Sequence, residues 1–432
     1  MEKIIIIGAN QCGLIAAYKL GKLGFDVTVY EAKSKEQVSY DWYDDIDPKV
    51  FEEIGLPMPP ETIYFHKKCW TFVNPSENVK IFVQGGAQAD DISIERRPLN
   101  DFLIPYAQSA AKIEYGVKVD ELLVEGDTIK GVKIKGKEIY CDLVVDASGV
   151  NSTFRNSLPA SFKMDNINKD ELFVAFRGFF ERVPNTEFDY SNKAYLKHQG
   201  QMGISWCIAT DEGDVDILIG RVGSLTQEGI QSALQALKKD NPILGDTLLK
   251  CGYTSCIPVR YPSTMMVANG YVTCGDAAYL TIPMMGSGVV AGMIAATYLA
   301  DVLAEKKDFS KENLWKYQVK VYNKFGGYVG VDLLKRWLLA TDPKKVDFLF
   351  EKKILNQQTL SGGLDGSKMD MPLKMLLQLA WNGKSRLGVL LSLAGVMGKM
   401  DKAKAAALSI PAEYEEGAVD AWRKKVDSFL GK

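Results

Sequence analysis

The sequence predicts an α/β protein: a parallel-sheet domain assembled from separate stretches, an antiparallel sheet domain, and a helical C-terminal region. Three observations carry that expectation. Ile4 to Ile7 is an apolar β-branched run suited to a strand buried on both faces; Gly8, a small-residue helical stretch from Gly13 to Leu23, and a second strand from Val27 to Tyr30 follow. Leu172 to Glu181 and Gln201 to Val222 read as longer strands, alternating in part, as in an antiparallel sheet covered on one face. From Phe309 onward, Lys-rich helical segments replace the strand signals.

The first unit, Lys3 to Lys33, organises the rest. Its turn resembles the Gly-x-Gly-x-x-Gly dinucleotide fingerprint. Gly8 makes the turn, and Gly13 lets the helix pack tightly on the strand. The helix N-terminus offers free N–H groups to a pyrophosphate. Glu31, at the end of the second strand, is placed to accept hydrogen bonds from a ribose hydroxyl. Asn10 stands where the middle glycine belongs, and asparagine tolerates positive φ better than most residues. The competing reading is an ordinary buried βαβ unit that binds nothing.

Composition bounds the partners. The 432 residues are 47% hydrophobic and 25% charged, with a formal net charge of −2. That balance has no nucleic-acid footprint, which needs a basic domain or stripe. The seven cysteines are scattered without a Cys-x-x-Cys, so neither an iron–sulfur cluster, a structural zinc nor another metal is expected. An odd cysteine count, and a strand beginning at residue 3 with no leader ahead of it, point to a reducing cytoplasm. The two histidines, His66 and His198, read as surface or packing residues. No run approaches the ~20 apolar residues of a membrane-spanning helix.

Along the chain, Ser34 to Pro60 is an aromatic and acidic loop with a short helix at Lys49 to Ile54. Tyr40, Trp42 and Tyr43 line a pocket or sit half-buried on a surface loop. Thr71 to Gln84 reads as strand, ended by Gly85 and Gly86. Arg96 and Arg97 lead a helix with Pro98 in its first turn. Tyr115 to Ile139 reads as a meander with Glu-Gly-Asp and Lys-Gly-Lys turns. Leu143 to Val145 is another buried strand, broken at Asp146. Asn185 to Asn192 is a polar insert, Thr226 to Lys239 an amphipathic helix, and Gly286 to Leu303 a buried one.

Four separated stretches then match one family pattern: Gly8 to Glu31; Arg96 with Leu99, Asn100 and Leu103; Asp146-Ala147-Ser148-Gly149 with Asn151, Ser152 and Arg155; and Cys274-Gly275-Asp276-Ala277-Ala278 running on through Pro283 to Gly286-Ser287-Gly288. Together these resemble the flavoproteins that include geranylgeranyl reductases, para-hydroxybenzoate hydroxylase-type monooxygenases and flavin-dependent halogenases. The resemblance implies a Rossmann-type FAD-binding domain made of residues 1–75, 93–160 and 255–305, with a substrate-binding sheet domain of 76–92 and 161–254. Residues 306–432 form the helical C-terminal region. It further implies that Asp276 accepts a hydrogen bond from the FAD ribitol and that Arg96 contacts the pyrophosphate region. Gly286, Ser287 and Gly288 would begin a helix facing the isoalloxazine, where a helix N-terminus favours an anionic reduced flavin. The cofactor set is thus Gly8, Asn10, Gly13, Glu31, Arg96, Asp146, Gly149, Gly275, Asp276, Gly286, Ser287 and Gly288.

Within the family, Gly203 to Ile208 resembles the Tyr-x-Trp-x-Phe-Pro stretch over the substrate cavity of the reductases, with Ala209 in place of the proline. The Asp-Ala-Ser-Gly form and the helical tail point the same way. The implied activity is reduction of carbon–carbon double bonds in a prenyl-like substrate by hydride from reduced flavin. Trp206, Cys207, Pro283 and Met285 are the pocket candidates, and Trp206 reads equally well as a core aromatic. A monooxygenase or halogenase-like enzyme on a small substrate is the alternative, and a flavin-binding protein without turnover a third reading. With no second nucleotide fingerprint, the donor is NAD(P)H docking transiently or a ferredoxin-type carrier. In the tail, Met371 to Met400, basic residues flank apolar runs around Trp381. That pattern suits peripheral contact with a lipid surface, or a helical hairpin capping the cavity with Asn382-Gly383 as its turn. The cap is favoured because small residues within 388–395 permit close packing.

Overall fold

Buried β-branched strands set the centre of the fold. In the computed structural model, which describes residues 1–66, 69–84, 91–187, 192–210, 213–363 and 383–431, Lys3–Ile7 pairs in parallel with Asp26–Glu31 on one side and Leu143–Asp146 on the other. Lys112–Tyr115 extends the sheet beyond Asp26–Glu31, and Tyr271–Thr273 extends it beyond Leu143–Asp146, both in parallel. Val267–Ala268 closes the edge antiparallel. Ile7 lies level with both Tyr30 and Asp146, and Asp146 with Thr273, so four strands end at one edge. Ligands of open α/β sheets bind at that carboxyl edge.

The helices Gln11–Lys22, Arg96–Gln108, Val289–Glu305 and Lys311–Phe325 bury their apolar faces in one core with this sheet. Gly13 is where the first helix meets the first strand: a Cβ there would stand 2.0 Å from the Gly8 carbonyl oxygen. Gly8 itself has φ +106°, a conformation that side chains rarely adopt. Asn10 needs no such freedom. Its φ is −78° and it serves as the helix N-cap, its Oδ1 accepting from the Gly13 N–H at 3.1 Å. The expectation of a left-handed Asn10 is therefore corrected: the turn is made one step earlier, at Gly8.

The second sheet has seven strands in the order Leu244–Pro258, Leu172–Arg182, Asp214–Val222, Gly203–Ala209, Lys193–Leu196, Cys69–Val73 and Lys80–Gln84. Its alternating residues part cleanly. Val215, Ile217, Ile219 and Cys207 pack beneath the helix Gln227–Asp240, against Ile230, Ala233 and Leu237. Leu218, Ala175, Ile204, Phe173 and Trp206 point to the other face, where they meet Tyr40 and Trp42. Two boundaries change accordingly. Cys69–Val73, expected in the parallel domain, is a strand of this sheet, and Thr71 to Gln84 is a hairpin. Leu244–Pro258 likewise carries the sheet past residue 255.

The tail docks on both units. Trp422 sits edge-on to Trp315 and Tyr322, with its Nε1–H on the Ala406 carbonyl at 3.1 Å. Helix Leu387–Leu408 buries Val389, Val396 and Ala403, one per seven residues, and reaches helix Tyr328–Ala340 closely at Gly330, where a Cβ would lie 3.0 Å from the Met400 carbonyl. Of the small residues within 388–395, Gly388 and Gly395 face open space among the described residues, whereas Ser392 Oγ accepts from the Trp337 Nε1–H at 2.8 Å and joins the two helices. The proposed partner helix and its Trp381-Asn382 end lie outside the described residues. No helix among those described is long and apolar enough to cross a membrane.

The Gly8–Gly13 contact has a direct test. Gly13→Ala overpacks it, and such changes cost ~1–3 kcal/mol or more. Urea unfolding of the variant should show that loss, whereas Gly388→Ala, at an open helical position, should be neutral or slightly stabilising.

Candidate functional site

Where the parallel strands end, their loops enclose a cavity of ≈ 490 Å³. Gly8, Asn10, Glu31, Arg96, Gly149, Gly275, Asp276, Gly286 and Gly288 all line it. Three other members of the expected set stand behind the wall. Gly13 holds the helix to the turn. Ser287 is tied back through its carbonyl, which accepts from the Ile282 N–H at 2.9 Å. Asp146 is fully buried, accepting from the Ser148 N–H and Oγ–H (3.0 and 2.6 Å), from Tyr271 Oη–H at 2.6 Å and from Ser152 Oγ–H. Asp146 thus shapes the loop that carries Gly149 and leaves no lone pair turned to the cavity.

At one end of the cavity Glu31 bridges two loops. Its Oε2 accepts from the Ala9 N–H (2.8 Å) and its Oε1 from the Lys33 N–H (2.9 Å), which leaves acceptor capacity on both oxygens. Asn10 Nδ2 reaches the Ala147 carbonyl at 2.5 Å and clamps the turn to the neighbouring strand end. Arg155, fully buried, spans the third and fourth stretches: it donates to the Ala277 carbonyl at 2.5 Å and to the Val150 carbonyl at 2.9 Å, and stacks on Tyr279.

Arg96 faces the cavity but is already engaged. Its guanidinium grips both oxygens of Asp44 and the hydroxyl of Tyr40, with Nη2 to Oδ1 at 2.9 Å. Arg97 ties the same loop through Asp41 at 2.7 Å. The two arginines therefore strap residues 36–44 across the cavity, so Arg96 meets a ligand as one edge of a neutralised cluster and not as a free cation. Tyr40 does line the cavity, one of the two readings for the aromatic loop, whereas Asp44 is a site residue the sequence signals only through the acidic composition of that loop.

Asp276 is the contrasting case. Its carboxylate accepts no hydrogen bond from the described residues, and burial pushes its pKa up to about 6 although Arg96 draws it down. An uncompensated carboxylate turned into a cavity suits hydroxyl donors on a ligand. The N-terminus of helix Val289–Glu305, capped at Gly288 without a side-chain hydrogen bond, suits an anion beside it, as does that of Gln11–Lys22. Two helix N-termini and two acceptor carboxylates thus match a ligand with a pyrophosphate and polyol hydroxyls, and the residues fit a flavin dinucleotide.

The pocket candidates are divided. Trp206 lies on the sheet face that meets the cavity loops, its Nε1–H on Asp216 at 3.3 Å. Cys207 is corrected: strand alternation puts it on the opposite face, fully buried beneath helix Gln227–Asp240. Pro283 and Met285 belong to the turn between Ile282 and Gly286 and do not line the cavity described. The residue pair that sequence reading missed is Arg177–Asp216. It is buried and bidentate (2.9 and 2.6 Å) among Trp42, Phe179 and Trp206. Its signal in the sequence is Arg177 inside the apolar run Leu172–Phe180 and Asp216 two residues into the strand Asp214–Val222. His66 is exposed; His198 is buried against Ser205 at 2.9 Å, and burial lowers its pKa to about 4, which keeps it neutral.

Asp276 generates a pH prediction. A carboxyl with a raised pKa contributes stability that is complete below its ordinary value and is lost as pH rises through about 6. Asp276→Asn should therefore stabilise the ligand-free protein at pH 7 and much less at pH 4.5, as read by urea unfolding at the two pH values. Equal effects at both would show that Asp276 titrates normally.

No family model matches the chain. Among curated proteins it is 23% identical to digeranylgeranylglycerophospholipid reductase of Sulfolobus acidocaldarius, over 99% of this chain and 97% of that protein. It is 22% identical to digeranylgeranylglycerophospholipid reductase 1 of Methanopyrus kandleri, over 73% of this chain and 84% of that one. Among solved structures, a geranylgeranyl bacteriochlorophyll reductase-like protein of Thermoplasma acidophilum superposes with a TM-score of 0.73 at 17% identity, covering 92% of this chain and all of the other. A flavin-dependent brominase superposes with a TM-score of 0.61 at 14% identity, covering 100% of this chain and 99% of its own. In sequence the chain is thus similar to digeranylgeranylglycerophospholipid reductases, and in fold to a geranylgeranyl bacteriochlorophyll reductase-like protein and to a flavin-dependent brominase.

Proposed function

We propose that the chain is an FAD-dependent oxidoreductase that reduces carbon–carbon double bonds of a prenyl-type lipid, with the cavity as the cofactor site. The full-length similarity to reductases of a digeranylgeranyl lipid supports the substrate class. One structural observation supports the arrangement: Tyr40 and Ile257 line the cavity and also belong to the aromatic sheet-face cluster of Trp42, Ile204 and Trp206. The Gly286 end of the cofactor cavity and an apolar sheet face therefore share side chains, which suits an apolar chain laid beside the cofactor. When bound, reduced FAD supplies the hydride. The chain's own part is to orient and exclude water: Glu31 and Asp276 accept hydroxyls, the two helix N-termini hold the pyrophosphate and favour negative charge, and Trp42 and Trp206 present apolar surface.

The Arg177–Asp216 pair favours a second reading. A buried ion pair among aromatic rings suits a small polar substrate better than a hydrocarbon, as a monooxygenase would take. The electron donor under either reading is NAD(P)H or a ferredoxin-type carrier.

Peripheral contact with lipid would follow from the first reading. Leu387, Leu391 and Met397 are 57%, 64% and 38% exposed on helix Leu387–Leu408, near Arg386 and Lys399. Apolar residues flanked by basic ones suit a helix resting on an anionic surface.

Four outcomes are expected. The protein should purify yellow and release its flavin on acid precipitation; Glu31→Ala should raise the FAD dissociation constant about 10- to 100-fold, from charge-assisted hydrogen bonds worth ~1.5–3 kcal/mol each. Colourless protein that ignores added FAD would defeat the cofactor reading. Photoreduced protein mixed anaerobically with a prenylated glycerophospholipid should yield product heavier by two hydrogens. Product heavier by one oxygen in air, with none formed anaerobically, would decide for the monooxygenase. Flotation with anionic liposomes should carry the wild type upward and leave Leu387→Ser/Leu391→Ser in the soluble fraction; wild type that stays behind rules out the lipid contact.

A further inference from the structure

Cys12 and Cys274 come from stretches 262 positions apart, yet their sulfurs lie 2.8 Å from each other. That is inside van der Waals contact and short of closure only by the difference from the ~2.05 Å of a disulfide bond. The two thiols are not equivalent. Cys274 is completely buried, backed by the Gly292 carbonyl and by Tyr317, whose hydroxyl holds the adjoining Thr273 carbonyl at 2.9 Å. Cys12 lines the cavity. The pair also sits where four elements meet: the start of helix Gln11–Lys22, the Gly275–Ala278 turn that carries Asp276, helix Val289–Glu305 and helix Lys311–Phe325. Gly275 and Gly292 both crowd the Cys12 side chain, where a Cβ would stand 3.3 and 3.2 Å from its Cβ. Both glycines let their elements come close to the Cys12 side chain.

We propose that Cys12 and Cys274 are a disulfide-forming pair in the cavity wall, closed by a peroxide that enters through the cavity and reopened by thiols. This inference is independent of which ligand fills the site. Access sets the order of events. Cys12 sulfur, as thiolate, attacks the peroxide O–O bond to give a sulfenic acid and, from hydrogen peroxide, water. Cys274 sulfur then displaces the hydroxyl, which leaves as a second water with the two thiol protons accounted for. Two thiols and one hydrogen peroxide become one disulfide and two waters. The resting pair is held in the thiol form: the hydrogen bond to Cys274, burial, and the nearby charges of Asp276 and Asp146 all raise the Cys12 pKa. Closure is therefore slow without a dedicated oxidant, and a reducing cell keeps the pair open. Once formed, the bond staples the first helix to the strand end that carries Asp276, joining two walls of the cavity across a very long loop of chain.

The test uses the whole protein as purified, treated with hydrogen peroxide, denatured in an alkylating reagent and digested without reductant. Mass spectrometry should find the Cys12 and Cys274 peptides joined, two hydrogens lighter than their sum. Dithiothreitol should separate them, and peroxide should raise the melting temperature of wild type but not of Cys12→Ser. Cys274→Ala serves as a second variant if Cys12→Ser folds poorly, and the wild-type mapping needs neither. Both cysteines recovered alkylated after peroxide would overturn the proposal. So would Cys12 carried on to a sulfinic acid while Cys274 stays free.

Discussion

At the carboxyl edge of the parallel sheet, several strands end side by side in the interior, and the backbone groups they leave unpaired must be satisfied without water. The loops do this for one another. Gly8 N–H turns to the Tyr30 carbonyl, Ala147 N–H to the Ile7 carbonyl, and Cys274 N–H to the Asp146 carbonyl, each within 2.9–3.0 Å. Side chains complete the set, Glu31 taking the Ala9 N–H and Asn10 the Ala147 carbonyl. Because each loop is the partner of the next, none can move alone. That mutual satisfaction makes the cavity a preformed shape, with helix N-termini left over to bind.

The electrostatics of the region follow the same logic of compensation and its deliberate omission. Arg96 and Asp44 neutralise each other, as do Arg177 and Asp216, so neither pair leaves a bare buried charge. Asp276 alone is left without a hydrogen-bond donor from the described residues. A carboxylate in the cavity wall that lacks a donor suits ligand hydroxyls, which supports the proposed binding role of Asp276. Asp146, fully buried and saturated by Ser148, Ser152 and Tyr271, holds its loop in place instead. The two aspartates look alike in the chain and differ only in what surrounds them.

Most of the parallel unit is legible in the sequence, because its signals are local: a β-branched run, a glycine turn and a small-residue helix are read within about thirty residues. The helix Gln227–Asp240 and the buried helix Val289–Glu305 were legible for the same reason. Errors fell where a decision depends on a distant partner. Cys69–Val73 joins the antiparallel sheet, contrary to the sequence boundary, because Lys193–Leu196, the strand that ties its hairpin to that sheet, lies some 120 residues on. Cys207 follows Trp206 in sequence but not in space, because neighbours along a strand face opposite sides. Asn10 does not need its tolerance of positive φ, because its work is capping and cross-linking.

By itself the chain determined its class, the identity of the motif-bearing residues and the kind of ligand they suit, since strand, turn and helix propensities and glycine spacing act over short range. Only the tertiary structure decided which of those residues reach the ligand. Burial, hydrogen-bond saturation and side-chain facing are properties of contacts between stretches 50 to 260 positions apart, on the order of the separations that join Arg96 to Asp44 and Cys12 to Cys274. Such contacts leave no periodicity in the sequence, because the partner that decides a residue's role is chosen by the packing of whole elements.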